Sequence, residues 1–367
     1  MTCTFGRNIR ITLLGESHGK CVGITADGLP AGMPVDMEAM EKCMEKRKAW
    51  GDISTARREE DKPVILSGVY QGKTDGTPLT IIIENKQMHS QDYNELIFRP
   101  SHADYTSYIK LGSFGDYRGG GSFSGRMTAP IVALGSVLSK ALESTGVTIG
   151  SHISRCGEIS DEDFPECSEE ELNDIFKTLA EKRFAVIDDG RGEEMQELIR
   201  EAREDGDSVG GVLETAITGL PVGVGSPFFD SLESVLAHLV FSVPGVKGIE
   251  FGLGFGFAYL GGSEANDQWV VEDGRIMTKS NMSGGINGGI SNGMPVIFRT
   301  VFRPTPSISK PQQTVDIKTL EEKPLELKGR HDPAIFHRAL AVIDSVTAIG
   351  IFDLMLERSR DVWKGSF

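Results

Sequence analysis

The chain of 367 residues carries 53 acidic side chains against 38 lysines and arginines, a formal net charge of −15. That surplus argues against nucleic acid and anionic membrane surfaces as partners, since both are bound mainly through lysine and arginine; small anionic metabolites stay open wherever a few cations converge. With 39% hydrophobic and 25% charged residues, the composition is that of an ordinary soluble globular protein with material for a substantial core.

The five cysteines are scattered and form no Cys-x-x-Cys pair, which fits neither a disulfide framework nor a zinc site. No cluster of His, Cys and Asp has metal-ligand spacing, so no metal is expected. Residues 1–8 show no apolar signal core, and no apolar run is long enough to span a bilayer, so the expected location is cytoplasmic.

In chain order, residues 10–14 read as a short strand running into the loop Gly15-Glu16-Ser17-His18-Gly19. Residues 20–26 read as another strand. A helix is predicted over 35–48, capped by Asp36 and ending in the basic cluster Lys46-Arg47-Lys48. Apolar runs at 63–67 and 79–84 predict two strands. Residues 87–124 are irregular and aromatic, the profile of a functional loop. A helix follows over 125–143, stopped by Gly146, then a strand over 147–154.

Residues 158–207 are acidic and helical in pattern, read as an exposed helical insertion away from the chemistry. Strands are predicted at 210–218, 246–251 and 296–302, and helices at 231–241 and 333–357. No linker and no fixed-period repeat interrupts the chain. One α+β domain over 1–367 is the simplest description.

Five segments carry candidate chemistry. Gly15-Glu16-Ser17-His18-Gly19 matches the Gly-x-Ser-x-Gly elbow of serine hydrolases, but that elbow needs a helix directly after it, where this chain reads as strand. What remains is a histidine on a tight turn, either a catalyst or a bystander. Arg99-Pro100-Ser101-His102-Ala103-Asp104 offers a second histidine, with Asp104 near enough to orient it or merely to cap a turn.

Arg118-Gly119-Gly120-Gly121 before a helix is a cradle in which backbone N–H groups can wrap an anion, with Arg118 and Arg126 adding charge. It is neither a Walker loop nor a Rossmann fingerprint. Residues 284–293 form a second glycine cradle, for a flat ligand or simply for tight strand packing. Gly329-Arg330-His331-Asp332-Pro333 reads as an N-cap followed by proline at the first helical position, with Arg330 and Arg338 available to an anion.

In order and over nearly the whole chain, these segments resemble the chorismate synthase family. The matching pieces include Gly15-Glu-Ser-His-Gly19, Asp27-Gly-Leu-Pro-Ala-Gly32, Arg57-Arg-Glu59, Ile83-Glu-Asn85 and Ser90-Gln-Asp-Tyr93. Further on come Arg99-Pro-Ser-His-Ala-Asp-Tyr105, Asp116-Tyr-Arg-Gly-Gly-Gly121, Pro244-Gly-Val-Lys-Gly-Ile-Glu250, Gly284-Gly-Ile-Asn-Gly-Gly-Ile-Ser291 and Gly329-Arg-His-Asp-Pro333.

The resemblance implies a β-α-β sandwich, two sheets enclosing helices, assembled as a homotetramer. It implies a lyase of the shikimate pathway, serving aromatic amino-acid biosynthesis. That enzyme converts 5-enolpyruvylshikimate 3-phosphate to chorismate and phosphate by 1,4-elimination, with reduced FMN and no net redox change. His18 would then protonate the leaving phosphate, His102 would serve the reduced flavin, and Asp332 would assist removal of the ring proton. Flavin contacts would be Ser122, Phe123, Ser124, Pro244, Gly245, Gly288, Arg303, Pro304, Thr305, Pro306, Ser307 and Arg330. Ser17, Arg47, Arg126 and Arg338 would contact substrate or nucleotide.

No reductase domain is evident, so the flavin is expected to be reduced externally rather than by the chain's own use of NADPH. Where the family runs Arg-x-Ser-x-Arg-Glu-Thr after the triple glycine, this chain reads Ser122-Phe-Ser-Gly-Arg-Met-Thr128. A second family arginine after Arg47 has no match in Trp50–Ser54. The alternative is a silent flavin- or anion-binding protein on the same scaffold.

Overall fold

The computed structural model describes residues 3–55, 60–86, 97–272, 274–327 and 331–359. Its first sheet holds β1 (Thr4–Phe5), β2 (Arg10–Gly15), β3 (Cys21–Asp27), β4 (Pro63–Ser67) and β7 (Leu79–Glu84), in the order β1-β2-β3-β7-β4. All neighbours are antiparallel. A two-stranded ribbon of β5 (Val69–Tyr70) and β6 (Lys73–Thr74) lies between β4 and β7 in the chain. The alternation along β7 sets the sheet's inner face: Leu79, Ile81 and Ile83 are buried, whereas Thr80 and Ile82 are half-buried and Glu84 is exposed.

Beneath that face lie three helices, α1 (Met37–Arg47), α3 (Thr128–Glu143) and α8 (Phe336–Arg358). Asp36 caps α1 as predicted, accepting from the N–H groups of Glu38 and Ala39 at 3.0 Å each. One flank of α3 packs on β3 and β7 and another on α8, which accounts for burial around nearly its whole circumference. By length and composition α8 is apolar enough to cross a membrane, but 78% of its most apolar stretch is buried inside the protein, as in a core helix.

The second sheet, ordered β11-β16-β10-β8-β9, comprises β8 (Thr148–Cys156), β9 (Ile159–Ser160), β10 (Gly211–Thr218), β11 (Val246–Phe251) and β16 (Val296–Phe302). Neighbouring residues of β8 face opposite layers: Ser151 donates to Asp344 of α8, whereas Gly150 lies under Phe176 of α4 (Glu169–Glu181). The expected sandwich is therefore the architecture, with α4 and α5 (Asp189–Glu204) as a further layer on the second sheet. Helix α6 (Leu232–Phe241) packs on α8 and β11. Short elements lie outside both sheets: α2 (Asp104–Leu111), α7 (Gly262–Ala265), and the hairpins β12 (Trp269–Glu272)/β13 (Arg275–Thr278), β14 (Ile286–Asn287)/β15 (Ile290–Ser291) and β17 (Gln312–Asp316)/β18 (Glu321–Leu325).

Three expectations need correction. The acidic stretch is no exposed insertion, for α4 and α5 bury Leu172, Phe176, Leu179, Met195 and Ile199 against the second sheet. The last helix starts at Phe336, and its N-cap position, Ile335, makes no side-chain bond; Asp332 is engaged elsewhere. Helix α3 begins at Thr128 instead of Gly125, because Gly125–Met127 winds as a 3-10 turn.

Candidate active site

The turn between β2 and β3 buries Ser17 and His18, which are 3% and 5% exposed. Its wall is the triple glycine. A Cβ placed on Gly119 would stand 2.3 Å from His18 Cε1 and 2.8 Å from Ser17 Oγ, and Gly119 has φ +61°. Only a residue with no side chain lets backbone lie this close to the imidazole. Ser17 N–H donates to the Gly121 carbonyl at 3.1 Å, joining wall to turn.

These glycines are not the first turn of α3, since Ser122–Met127 intervenes and Gly120 N–H donates to the Tyr117 carbonyl. Nor is Arg118 a free cation. It grips Asp116 with two bonds of 2.8 Å, and that contact, against the cost of partial burial, holds the Asp116 carboxyl below its usual range.

Arg47, the last residue of α1, and Arg126 both reach Asp61. Arg47 Nη1 donates to it at 2.9 Å, and Arg126 Nη1 to its other oxygen. All three residues are buried. Burial opposes ionisation of Asp61, but the two guanidinium groups outweigh it and keep the carboxyl below the usual range. Arg47 also donates to Thr128 Oγ1 and the Gly125 carbonyl, at 2.9 Å each. Arg126 donates to Asn85 Oδ1 at 2.9 Å and to the Glu84 carbonyl at 3.2 Å.

Arg338, from the first turn of α8, donates to the Arg47 carbonyl at 3.0 Å and to both Asp332 oxygens at 3.0 and 2.9 Å. Thr55 N–H completes the hold on Asp332 at 2.8 Å. Where the family's second arginine is missing, Arg183 from the α4–α5 connection lies 5.8 Å over the Trp50 ring.

His102 Nε2 meets Ser307 Oγ at 2.7 Å. Asp104 does not touch that imidazole; it takes two bonds of 2.8 Å from the Arg99 guanidinium and one of 3.0 Å from Arg99 N–H. Burial, then the charge of Arg99, with Arg303 and His331 adding to them against Asp104, push the His102 pKa down to about 4. Arg303 anchors its segment through N–H to the Gly245 carbonyl at 2.9 Å and Nη1 to the Ser101 carbonyl at 3.3 Å. So Ser101–His102, Pro244–Gly245 and Arg303–Ser307 converge. Thr305 Oγ1 is buried there without a hydrogen-bond partner among the described residues, a hydroxyl suited to an incoming polar ligand.

Gly288 is not brought to this cluster by the described contacts. Its hairpin sits at the start of α6, where Gly289 accepts from Leu232 N–H at 2.9 Å, while Pro244–Gly245 follows the other end. The ten residues of α6 make that separation about 15 Å. Arg330 lies outside the described residues. Phe123 is 39% exposed, beside the half-buried Ser122 and Ser124.

A continuous polar seam results. It runs from Asp332 through Arg338, Arg47, Asp61, Arg126 and Asn85 to the His18 turn, while His102 lies in the separate cluster with Ser307 and Arg303. Two of its members, Asp61 and Asn85, were not singled out as site residues, although Asn85 closes the matched piece Ile83-Glu-Asn85. The signal available was faint: one acid between a basic cluster and a strand, and one amide at the end of an apolar strand. Guanidinium groups along the seam, with the His18 imidazole on the turn at its end, are what binding and protonating a phosphorylated anion requires.

The sequence model of the family described as chorismate synthase matches residues 9–356. Chorismate synthases of Thermococcus gammatolerans and Pyrococcus abyssi are 43% and 44% identical over 362 and 361 residues, 98% of this chain and 99% and 98% of theirs. That of Methanobrevibacter smithii is 41% identical over 362 residues, 97% of each chain. A solved structure described as the crystal structure of chorismate synthase superposes with a TM-score of 0.76 at 27% identity, covering 96% of this chain and 93% of that one.

Proposed function

The chain belongs to the chorismate synthase family, and from that premise we propose that it eliminates phosphate from 5-enolpyruvylshikimate 3-phosphate to give chorismate. One C–O bond to phosphate and one ring C–H bond break, a ring double bond forms, and no net oxidation occurs. The observation that supports the proposal is the polar seam, a run of hydrogen-bonded groups from Asp332 to the His18 turn in a protein of this family.

His18, buried against the Gly119–Gly121 backbone, is the acid that protonates the departing phosphate. Arg47, Arg126 and Arg338 supply the cationic surroundings that stabilise it. Asp332 is the base side of the elimination, its carboxylate oriented by Arg338 and by Thr55 N–H. With its pKa near 4, His102 is neutral at neutral pH and acts as an oriented hydrogen-bonding group, and an anionic ligand beside it would raise that pKa.

The residues fit a flavin mononucleotide: Ser122–Ser124, Pro244–Gly245 and Arg303–Ser307 offer hydroxyls, backbone and a cation, and the Thr305 hydroxyl is unpartnered among the described residues. In its reduced form, a flavin held there would supply electron density transiently with no net redox change. We further propose an external reductant, a homotetramer and a cytoplasmic location; the five free cysteines support the last.

Anaerobic turnover of enolpyruvylshikimate phosphate with chemically reduced FMN, followed by chorismate absorbance, tests the proposal. Chorismate should form, and its formation should fall by about 100-fold or more in His18→Ala and His102→Ala proteins that remain folded. Flavin binding without turnover by the wild-type chain would sink it. The silent binder would then stand, with the Ser122–Thr128 departures as its cause.

A further inference from the structure

Asn85 follows the last residue of β7 and spans the whole of the His18 turn. Its backbone N–H donates to the Lys20 carbonyl at 3.1 Å. Its side-chain Nδ2 donates to the Glu16 carbonyl at 3.0 Å and the Gly19 carbonyl at 2.8 Å. The two carbonyls flank Ser17 and His18, so one amide group ties both ends of the turn to the first sheet.

The amide cannot rotate without loss, because Arg126 Nε donates to its Oδ1 at 2.9 Å. A flipped amide would aim N–H groups at the guanidinium and its oxygen at two carbonyls. Arg126 is itself fixed by Asp61 and by the Glu84 carbonyl. The Gly119 backbone lies against the imidazole. His18 thus sits beside the glycine wall on a turn that the Asn85 side chain holds together with the Gly19 N–H bond to the Glu16 carbonyl at 3.0 Å.

We propose that Asn85 is a positioning residue for His18, setting the imidazole where it meets the departing phosphate. The proposal rests on the reading of His18 as the proton donor. It differs from a general structural role in one consequence: Asn85 acts through His18, so its removal does nothing further once His18 is gone.

The experiment compares wild type, Asn85→Ala, His18→Ala and the double variant in the anaerobic assay, with thermal unfolding as the check on folding. Asn85→Ala should lower kcat by about 100-fold, the scale for a misplaced catalytic group, with KM changed little. The double variant should match His18→Ala. A double variant that multiplies the two losses overturns the proposal.

A readout independent of turnover separates this from failure of the proposed reaction. Diethyl pyrocarbonate modification, read by mass spectrometry, should reach the His18 peptide several-fold faster in Asn85→Ala, with the His102 peptide unchanged. An unchanged His18 rate overturns the positioning role even in a protein that makes no chorismate. Faster modification in such a protein supports the positioning role and condemns only the reaction. If Asn85→Ala does not fold, Asn85→Ser keeps one donor and should give intermediate values in both readouts; wild-type values in both would overturn the proposal.

Discussion

The two glycine-rich segments, Gly119–Gly121 and Gly284–Gly293, look alike in sequence and do different physical work. In the first, the missing side chain at Gly119 makes room for an imidazole and a hydroxyl. In the second, a Cβ on Gly284 would meet backbone, 2.5 Å from Gly252 N and 2.7 Å from the Ile297 carbonyl, and a Cβ on Gly285 would lie 2.5 Å from the Pro295 carbonyl. Gly119 is glycine because a functional side chain presses on it, whereas Gly284 and Gly285, like Gly121 against the Asp116 carbonyl, are glycine because the chain crosses itself there. Composition cannot tell these apart; only the identity of the neighbour can.

The contrast breaks most sharply at Gly284. Gly284→Ala combines left-handed strain, φ being +61°, with overlap on backbone that is hydrogen-bonded between Gly252 and Ile297. A loss of about 3–5 kcal/mol of stability is expected, visible as a lower urea midpoint. Stability within about 1 kcal/mol of wild type would mean the second segment is not a packing device.

Gly119→Ala should behave in the opposite way. Its strain costs about 1–2 kcal/mol, but the added methyl displaces His18, whose ring can move. Turnover should fall by about 100-fold, roughly 2.7 kcal/mol in the barrier, while unfolding shifts only modestly. Full turnover in this variant would remove His18 from the mechanism or the glycine wall from His18.

Local signals made much of the fold legible. Asp36 caps α1, Ser231 caps α6, and the alternation of Leu79, Ile81 and Ile83 fixes the inner face of β7. The candidate site was legible as a set of motifs, because tight glycine turns and histidine loops are local. Its electrostatics were not. Asp61 lies 14 residues from Arg47 and 65 from Arg126, and no pattern along the chain reports a counterion shared that way.

Asp332 illustrates the same limit. Asp-Pro before an apolar run is a sound cap signal, yet Arg338 and the remote Thr55 take the carboxylate, and the helix starts uncapped at Phe336. Among the acidic helices, surface charge concealed the stripe Leu172, Phe176 and Leu179 that anchors α4. Tertiary partners decided each of these cases.

The smallest expected effect concerns the histidine served by the second segment's strand. After β16, which follows that segment, the chain carries Arg303 and Ser307 to His102, so His102 is held neutral among cations as His18 is held against glycine backbone. Its pKa falls from 6.5 in the ordinary state to about 4 when folded. Between those values the unfolded chain binds the extra proton and the folded chain does not. Stability therefore rises with pH across that window, is fully present above about 6.5, and is lost as pH falls toward about 4. His102→Gln removes the titrating group and keeps a polar partner for Ser307. Its stability should fall less steeply on acidification, by on the order of 2–3 kcal/mol between the two limits, in urea unfolding at a series of pH values. An identical slope in wild type and variant would mean that neither burial nor the charges of Arg99, Arg303 and His331 hold the imidazole neutral. The strand beyond the second glycine segment would then be scaffold alone, and the contrast between the two segments complete.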